Sequence, residues 1–168
     1  MAIFFDTGVL YALHDTSDRH HLDATAIALH ALKGKWGSPY LSSYVTLETT
    51  LLLKSRLGWA AARAFPGLVK EMGLRELAVD EETHRKAVTM FVGGERELSL
   101  TDAASVVLMD SLGIKTFATF DRRSFGRLEQ GVVGEGYSRA LSGEERKEAA
   151  GLTEGPTRLS ASPSGSTA

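Results

Sequence analysis

Apolar residues follow two rhythms along this chain: short unbroken runs, and longer stretches spaced at three and four. Residues 2–5 are a compact β-prone run that stops at Asp6-Thr7-Gly8, as a buried strand stops at a polar edge. Residues 9–13 turn helical. A second helix runs from just after Ser17-Asp18 through Ala24, Ile27 and Ala31 to a stop at Gly34. Residues 36–41 form the next strand candidate, interrupted by Pro39. After it, Ser42 or Ser43 caps a helix with apolar residues at 44, 47, 51 and 52, a spacing that makes Leu47 and Leu51 its inner face.

Residues 59–72 predict another helix, kinked or split at Pro66. Alternation over 74–79 predicts a strand, and Asp80 caps a helix that reaches Gly93-Gly94. Thr101 caps a further helix, which Asp102 opens and Gly113 ends. Residues 114–120 make the clearest strand after the first, and it runs into Asp121. Val132-Val133, set between glycines, reads as a last edge strand.

Strands that alternate with helices imply parallel β-α-β units, hence an α/β fold with a sheet covered on both faces. Residues 1–141 carry this pattern as one domain. Residues 142–168 read as a C-terminal extension, with one or two helical turns over 144–150. From 153 onward the chain is mostly Ser, Thr, Gly, Pro and Ala, too poor in apolar surface to offset its ordering entropy, and disorder is expected there.

Composition narrows the chemistry. The chain has 168 residues, 43% hydrophobic and 24% charged, the balance of an ordinary globular protein. It contains no cysteine, which excludes disulfides, thiolate zinc sites and cysteine nucleophiles. The first residues have no basic leader, and no apolar run is long enough to span a bilayer. A cytoplasmic protein with no membrane association is expected. The formal net charge of −2 argues against binding phosphates by bulk electrostatics alone. It is compatible with acids gathered around cations, which reverse the local field.

Ligands of open parallel sheets bind at the carboxyl ends of the strands. Asp6 and Asp121 each follow a strong strand candidate, so neighbouring strands would bring them into one crevice. Asp102 at a helix start is either a dipole stabiliser or a third member of that site. Glu48, isolated between residues 39 and 53 in an otherwise uncharged stretch, is either a partnered half-buried acid or a solvated helix edge. Converging carboxylates require a cation or shifted pKa values, and hard oxygen donors suit Mg²⁺ or Mn²⁺. No His pair near these acids has ligand spacing, which disfavours zinc.

Four segments carry a family resemblance: Phe4-Phe5-Asp6-Thr7, Tyr44-Val45-Thr46-Leu47-Glu48-Thr49, Leu100-Thr101-Asp102-Ala103-Ala104-Ser105, and Phe117-Ala118-Thr119-Phe120-Asp121-Arg122-Arg123. In this order they resemble the four-acid pattern of PIN domains, especially the VapC-type toxins of bacterial toxin–antitoxin pairs. Asp18-Arg19-His20-His21 is similar to that group as well, and the resemblance covers roughly residues 1–133. It implies a three-layer α/β/α fold with a short parallel sheet and Mg²⁺- or Mn²⁺-dependent cleavage of single-stranded RNA. Asp6, Glu48, Asp102 and Asp121 would form the catalytic site, with Asp6, Asp102 and Asp121 on the metal. Thr7 and Thr101 would orient carboxylates or water through their hydroxyls.

The many small and apolar residues of the first helices, among them Ala24, Ala26, Ala28, Ala31 and residues 51–53, suit a homodimer or partner surface as well as a core, and the resemblance implies a protein antitoxin there. Where many relatives carry Ser or Asn after the Asp-Thr pair, this chain has Gly8, which removes a side-chain contact. Arg122 and Arg123 are candidate phosphate contacts at the rim, or a solvated pair. His14, His20, His21, His30 and His84 read as surface or structural, and Trp36 and Trp59 as core or interface. Competing functions are a housekeeping PIN-domain RNA-processing nuclease and a non-catalytic α/β interaction module. Haloacid-dehalogenase chemistry needs a second Asp where Gly8 stands and is disfavoured.

Overall fold

A computed structural model describes residues 1–94, 97–125 and 131–154. The elements in order are β1 (Ala2–Phe5), α1 (Thr7–His14), α2 (His21–Leu32), β2 (Ser38–Ser42), α3 (Ser43–Leu57), α4 (Trp59–Glu71), β3 (Arg75–Leu77) and α5 (Glu81–Gly93). They continue with α6 (Leu100–Leu112), β4 (Thr116–Ala118), α7 (Arg122–Phe125), β5 (Gly131–Val133), a 3-10 turn (Tyr137–Ala140) and α8 (Gly143–Glu154).

The five strands pair in the order β3-β2-β1-β4-β5, every pair parallel. Ile3, Phe4 and Phe5 of β1 are fully buried, as a central parallel strand requires. With the right-handed crossovers that parallel β-α-β units adopt, this strand order puts α1–α4 on one face of the sheet and α5–α7 on the other, giving three layers. The chain order reverses direction between β1 and β4, so the crevice at the carboxyl ends of those two strands is the topological switch point.

Several boundaries differ from the sequence reading. Trp36 lies before β2, and Pro39 is paired with Ile3 of β1 one residue before β3 joins at Tyr40. At that point a missing N–H costs no ladder bond toward β3. α4 runs unbroken through Pro66, whose ring is exposed. In α3 the buried residues are Val45, Thr49 and Leu53, whereas Leu47 is 60% and Leu51 55% exposed. The helix is right but its inner face is not the one expected: α3 is apolar on two sides, so spacing alone cannot tell which side meets the core.

The helical turns expected over 144–150 belong to α8, which spans Gly143–Glu154. Ser142 and Glu145 form reciprocal cap bonds, Glu145 N–H to Ser142 Oγ at 3.2 Å and Ser142 N–H to Glu145 Oε2 at 2.9 Å. α8 then docks on α2, burying Ala149 with Ala26, Leu29 and Leu141. His30, buried in α2, meets Glu145 Oε1 at 3.2 Å and the Tyr137 hydroxyl at 2.7 Å. Residues 155–168, on which most of the expected disorder falls, lie outside the described residues.

Candidate active site

The end of β1 delivers Asp6 into the switch-point crevice. Its backbone N–H continues the ladder to Ala118 O at 3.0 Å, and its side chain caps α1 by accepting from Thr7 N–H at 2.7 Å. Its other carboxylate oxygen accepts from the Thr119 hydroxyl at 2.7 Å. Asp6 is buried, and burial pushes its carboxyl up to about 7. The negative charge of Asp102 and, less strongly, of Glu48 pushes the same way, while the Thr119 and Thr7 bonds oppose it.

Asp102 arrives from the opposite face on α6. It is the third residue of that helix, and the cap is Ser99 rather than Thr101, because the helix begins two residues earlier than its Thr-Asp pair suggests. Ser99 and Asp102 form a capping box, Ser99 N–H to Asp102 Oδ2 at 2.8 Å and Asp102 N–H to Ser99 Oγ at 3.1 Å. Burial raises the Asp102 carboxyl, the Ser99 bonds lower it, and the charge of Asp121 raises it further. Asp121 lies exposed in the turn after β4, with Oδ1 accepting from Ser124 N–H at 3.0 Å. Glu48 is half-buried on α3, one position from buried Thr49.

The crevice therefore brings the four predicted acids within electrostatic reach: Asp6 feels Asp102 and Glu48, and Asp102 feels Asp121. They are not packed into a closed cage. Among the described residues, no three His, Asp or Glu side chains stand close enough to hold one ion directly. The donor set still fits a hard cation, since each acid offers oxygen and the buried Asp6 keeps its charge at a cost that a cation would relieve. Mg²⁺ commonly keeps several waters and takes only one or two carboxylates, so a loose set of acids suits it better than zinc.

Of the two hydroxyls expected to orient carboxylates or water, neither bonds one of the four acids directly among the described residues. Thr7 Oγ1 is buried without a hydrogen-bond partner, and the Thr101 hydroxyl meets none of the four acids among the described residues. Thr119 takes that role instead, as it also accepts from Asp121 N–H at 3.1 Å. Its position two residues before Asp121 was the available signal, because an inward hydroxyl at a strand end faces the same crevice. Of the candidate phosphate contacts, Arg122 donates to Glu135 O at 3.2 Å, and Arg123 pairs with Glu97 at 2.9 Å, both exposed. His20 stacks on Phe120 with centroids 4.3 Å apart at the rim of the crevice.

The PIN domain profile matches residues 3–130, most of the chain and a span that includes all four acids. The chain belongs to the PIN-domain family. Among curated proteins, this PIN domain is 33% identical over 149 residues to a VapC ribonuclease of Archaeoglobus fulgidus, covering 88% of the chain and 92% of that protein. It is 30% identical over 138 residues to the ribonuclease VapC26 of Mycobacterium tuberculosis, covering 75% and 91%. Among solved structures it superposes on Mycobacterium tuberculosis VapC20, a sarcin-ricin loop cleaving toxin, with a TM-score of 0.62 and 29% identity over 71% of this chain and 90% of that one. FitAcB from Neisseria gonorrhoeae shares the fold, with a TM-score of 0.55 at 18% identity over 83% and 99%.

Proposed function

We propose that this PIN domain is an endoribonuclease that hydrolyses RNA phosphodiester bonds, and that it is the toxin of a toxin–antitoxin pair. The observation that carries the reading is the buried Asp6, held in a crevice where Asp102 and Glu48 add negative charge rather than relieve it. A protein gains nothing from that arrangement unless a cation or a developing positive charge completes it. Ribonucleases among its relatives give the reaction class, and a VapC20-like fold gives the toxin context.

Asp6, Asp102 and Asp121 would hold Mg²⁺ or Mn²⁺, with Glu48 completing the acidic ring. When bound, such an ion supplies an activated water and stabilises charge on the phosphodiester. The chain's own contribution is positional. Asp6 is fixed by Thr7 and Thr119, Asp102 by Ser99, and Asp121 by Ser124, so the acids present oxygens toward the crevice without needing to order themselves. Arg122 and Arg123, exposed beside Asp121, are positioned to exchange their present partners for phosphate.

The exposed Leu47 and Leu51 of α3, with Trp59 at the start of α4, form an apolar face that suits an antitoxin or a second copy of the chain. Among the described residues, no helix is long and apolar enough to cross a membrane. The deciding experiment incubates the protein with end-labelled single-stranded RNAs and a sarcin-ricin loop hairpin, in Mg²⁺, Mn²⁺ or EDTA. Asp6→Ala serves as the control. Cleavage that requires metal and Asp6 is expected; wild-type protein that cuts no RNA under any of these conditions sinks the reading.

A further inference from the structure

The Thr119 hydroxyl touches two of the four acids. It donates to Asp6 Oδ2 at 2.7 Å and accepts from the Asp121 backbone N–H at 3.1 Å. The Asp121 N–H can only donate, so the hydroxyl oxygen accepts there, which leaves its single proton for the Asp6 carboxylate when that group is ionised. The side chain is fully buried, and its β-branch limits the rotamers it can adopt.

Its backbone is held by β5. Thr119 N–H donates to Val133 O at 3.0 Å, and Gly134 lies so close that a Cβ there would fall 2.1 Å from Thr119 O. The last strand and its following glycine thus determine where the hydroxyl points. Asp121 is gripped at both ends of its turn, by Thr119 through its N–H and by Ser124 through Oδ1.

Resting on the acidic-site reading above, we propose that Thr119, clamped by the edge strand β5, is a positioning residue that sets Asp6 and Asp121 relative to each other for cation binding. Without the hydroxyl, Asp6 Oδ2 and the Asp121 N–H both lose a partner in the same crevice. Outer-shell partners of this kind change metal affinity by roughly 10- to 100-fold when removed. A residue that only satisfied a buried carboxylate would change stability and leave metal affinity untouched.

The test compares wild type, Thr119→Ser and the isosteric Thr119→Val. The readouts are the melting temperature in EDTA, the Mn²⁺ concentration that half-saturates the rise in melting temperature, and kcat and KM on a cleaved RNA. Thr119→Ser keeps the oxygen and should stay within about threefold of wild type, whereas Thr119→Val should need about tenfold more Mn²⁺ or beyond, with kcat falling and KM for RNA little changed. Should Thr119→Val fail to fold, Thr119→Ala is judged by the same criteria. Unchanged Mn²⁺ half-saturation in the hydroxyl-free variant overturns the proposal, as does a wild type whose melting temperature ignores Mn²⁺. Mn²⁺ binding that depends on Thr119 without RNA cleavage would leave the positioning role standing and remove the nuclease reading.

Discussion

Asp6 is the residue at which structure and chemistry conflict most. Its carboxyl titrates at about 7 in the folded chain against 3.8 for an unperturbed one. Between those values the folded state binds more protons than the unfolded state, so this group makes stability fall as pH rises from about 4 to about 7. In EDTA, the wild type should therefore lose melting temperature across that window relative to Asp6→Asn. Mn²⁺ should reverse the loss in wild type only. Identical pH slopes for the two proteins would show that Asp6 is not the strained group. Its neighbour Gly8 permits a simpler test. A Cβ at Gly8 would meet Asp6 Oδ2 at 3.9 Å and Phe120 Cδ2 at 4.0 Å, ordinary contacts, and its φ is not left-handed. Gly8→Ala should stabilise α1 by about 0.5–1 kcal/mol, measured by urea unfolding. A destabilised variant would mean that the site needs the open space.

At the scale of elements, α6 gives Asp102 two separable jobs. Its carboxylate caps the helix through Ser99 N–H, and it faces the crevice within reach of Asp6 and Asp121. Ser99→Ala removes the bond to Asp102 N–H and should cost about 1 kcal/mol of unfolding free energy while leaving metal binding in place. Asp102→Asn keeps an oxygen for Ser99 N–H but halves the donor quality. It should unfold near wild type in EDTA and lose the Mn²⁺-induced rise in melting temperature. If both variants lose the rise equally, the two jobs are not separable.

The elements were also where the sequence spoke most clearly. Strands ending in Asp6 and Asp121 were legible because buried apolar runs stop abruptly at acids. The edge strand β5 was legible from two valines between glycines. What could not be read was phase and start. α3 is apolar on two sides, so Leu47 and Leu51 looked like core. α6 begins at Leu100, two residues before the start its Thr-Asp pair suggests, because Ser99 offers an equally good cap. Thr119 is marked in the sequence only by its place two residues before Asp121; its bond to Asp6 depends on how the chain after β4 is held between β1 and β5.

For the whole molecule, α8 and the 3-10 turn complete a structure that the family profile leaves at residue 130. Asp23 of α2 accepts from Gly136 N–H and Ser138 N–H, both at 2.8 Å, and His30 joins Tyr137 to Glu145. Lys33 adds Glu148 at 2.8 Å from the helix surface. The C-terminal segment is thus fastened along α2 by buried polar groups and a small apolar contact. Among the described residues, none of the bonds that hold it involves the four acids. Removing residues 143–168 would expose Ala26 and Leu29 and leave buried His30 without Glu145, a loss of a couple of kcal/mol that corresponds to about 5 °C or more for a domain of this size. Removing only 155–168, a segment poor in large apolar residues, should leave the melting temperature unchanged within error. RNA cleavage at temperatures well below melting should survive both truncations. If the shorter deletion lowers the melting temperature as much as the longer one, the tail contributes to the fold; if the longer deletion abolishes cleavage in a protein still folded, α8 reaches the active site through α2.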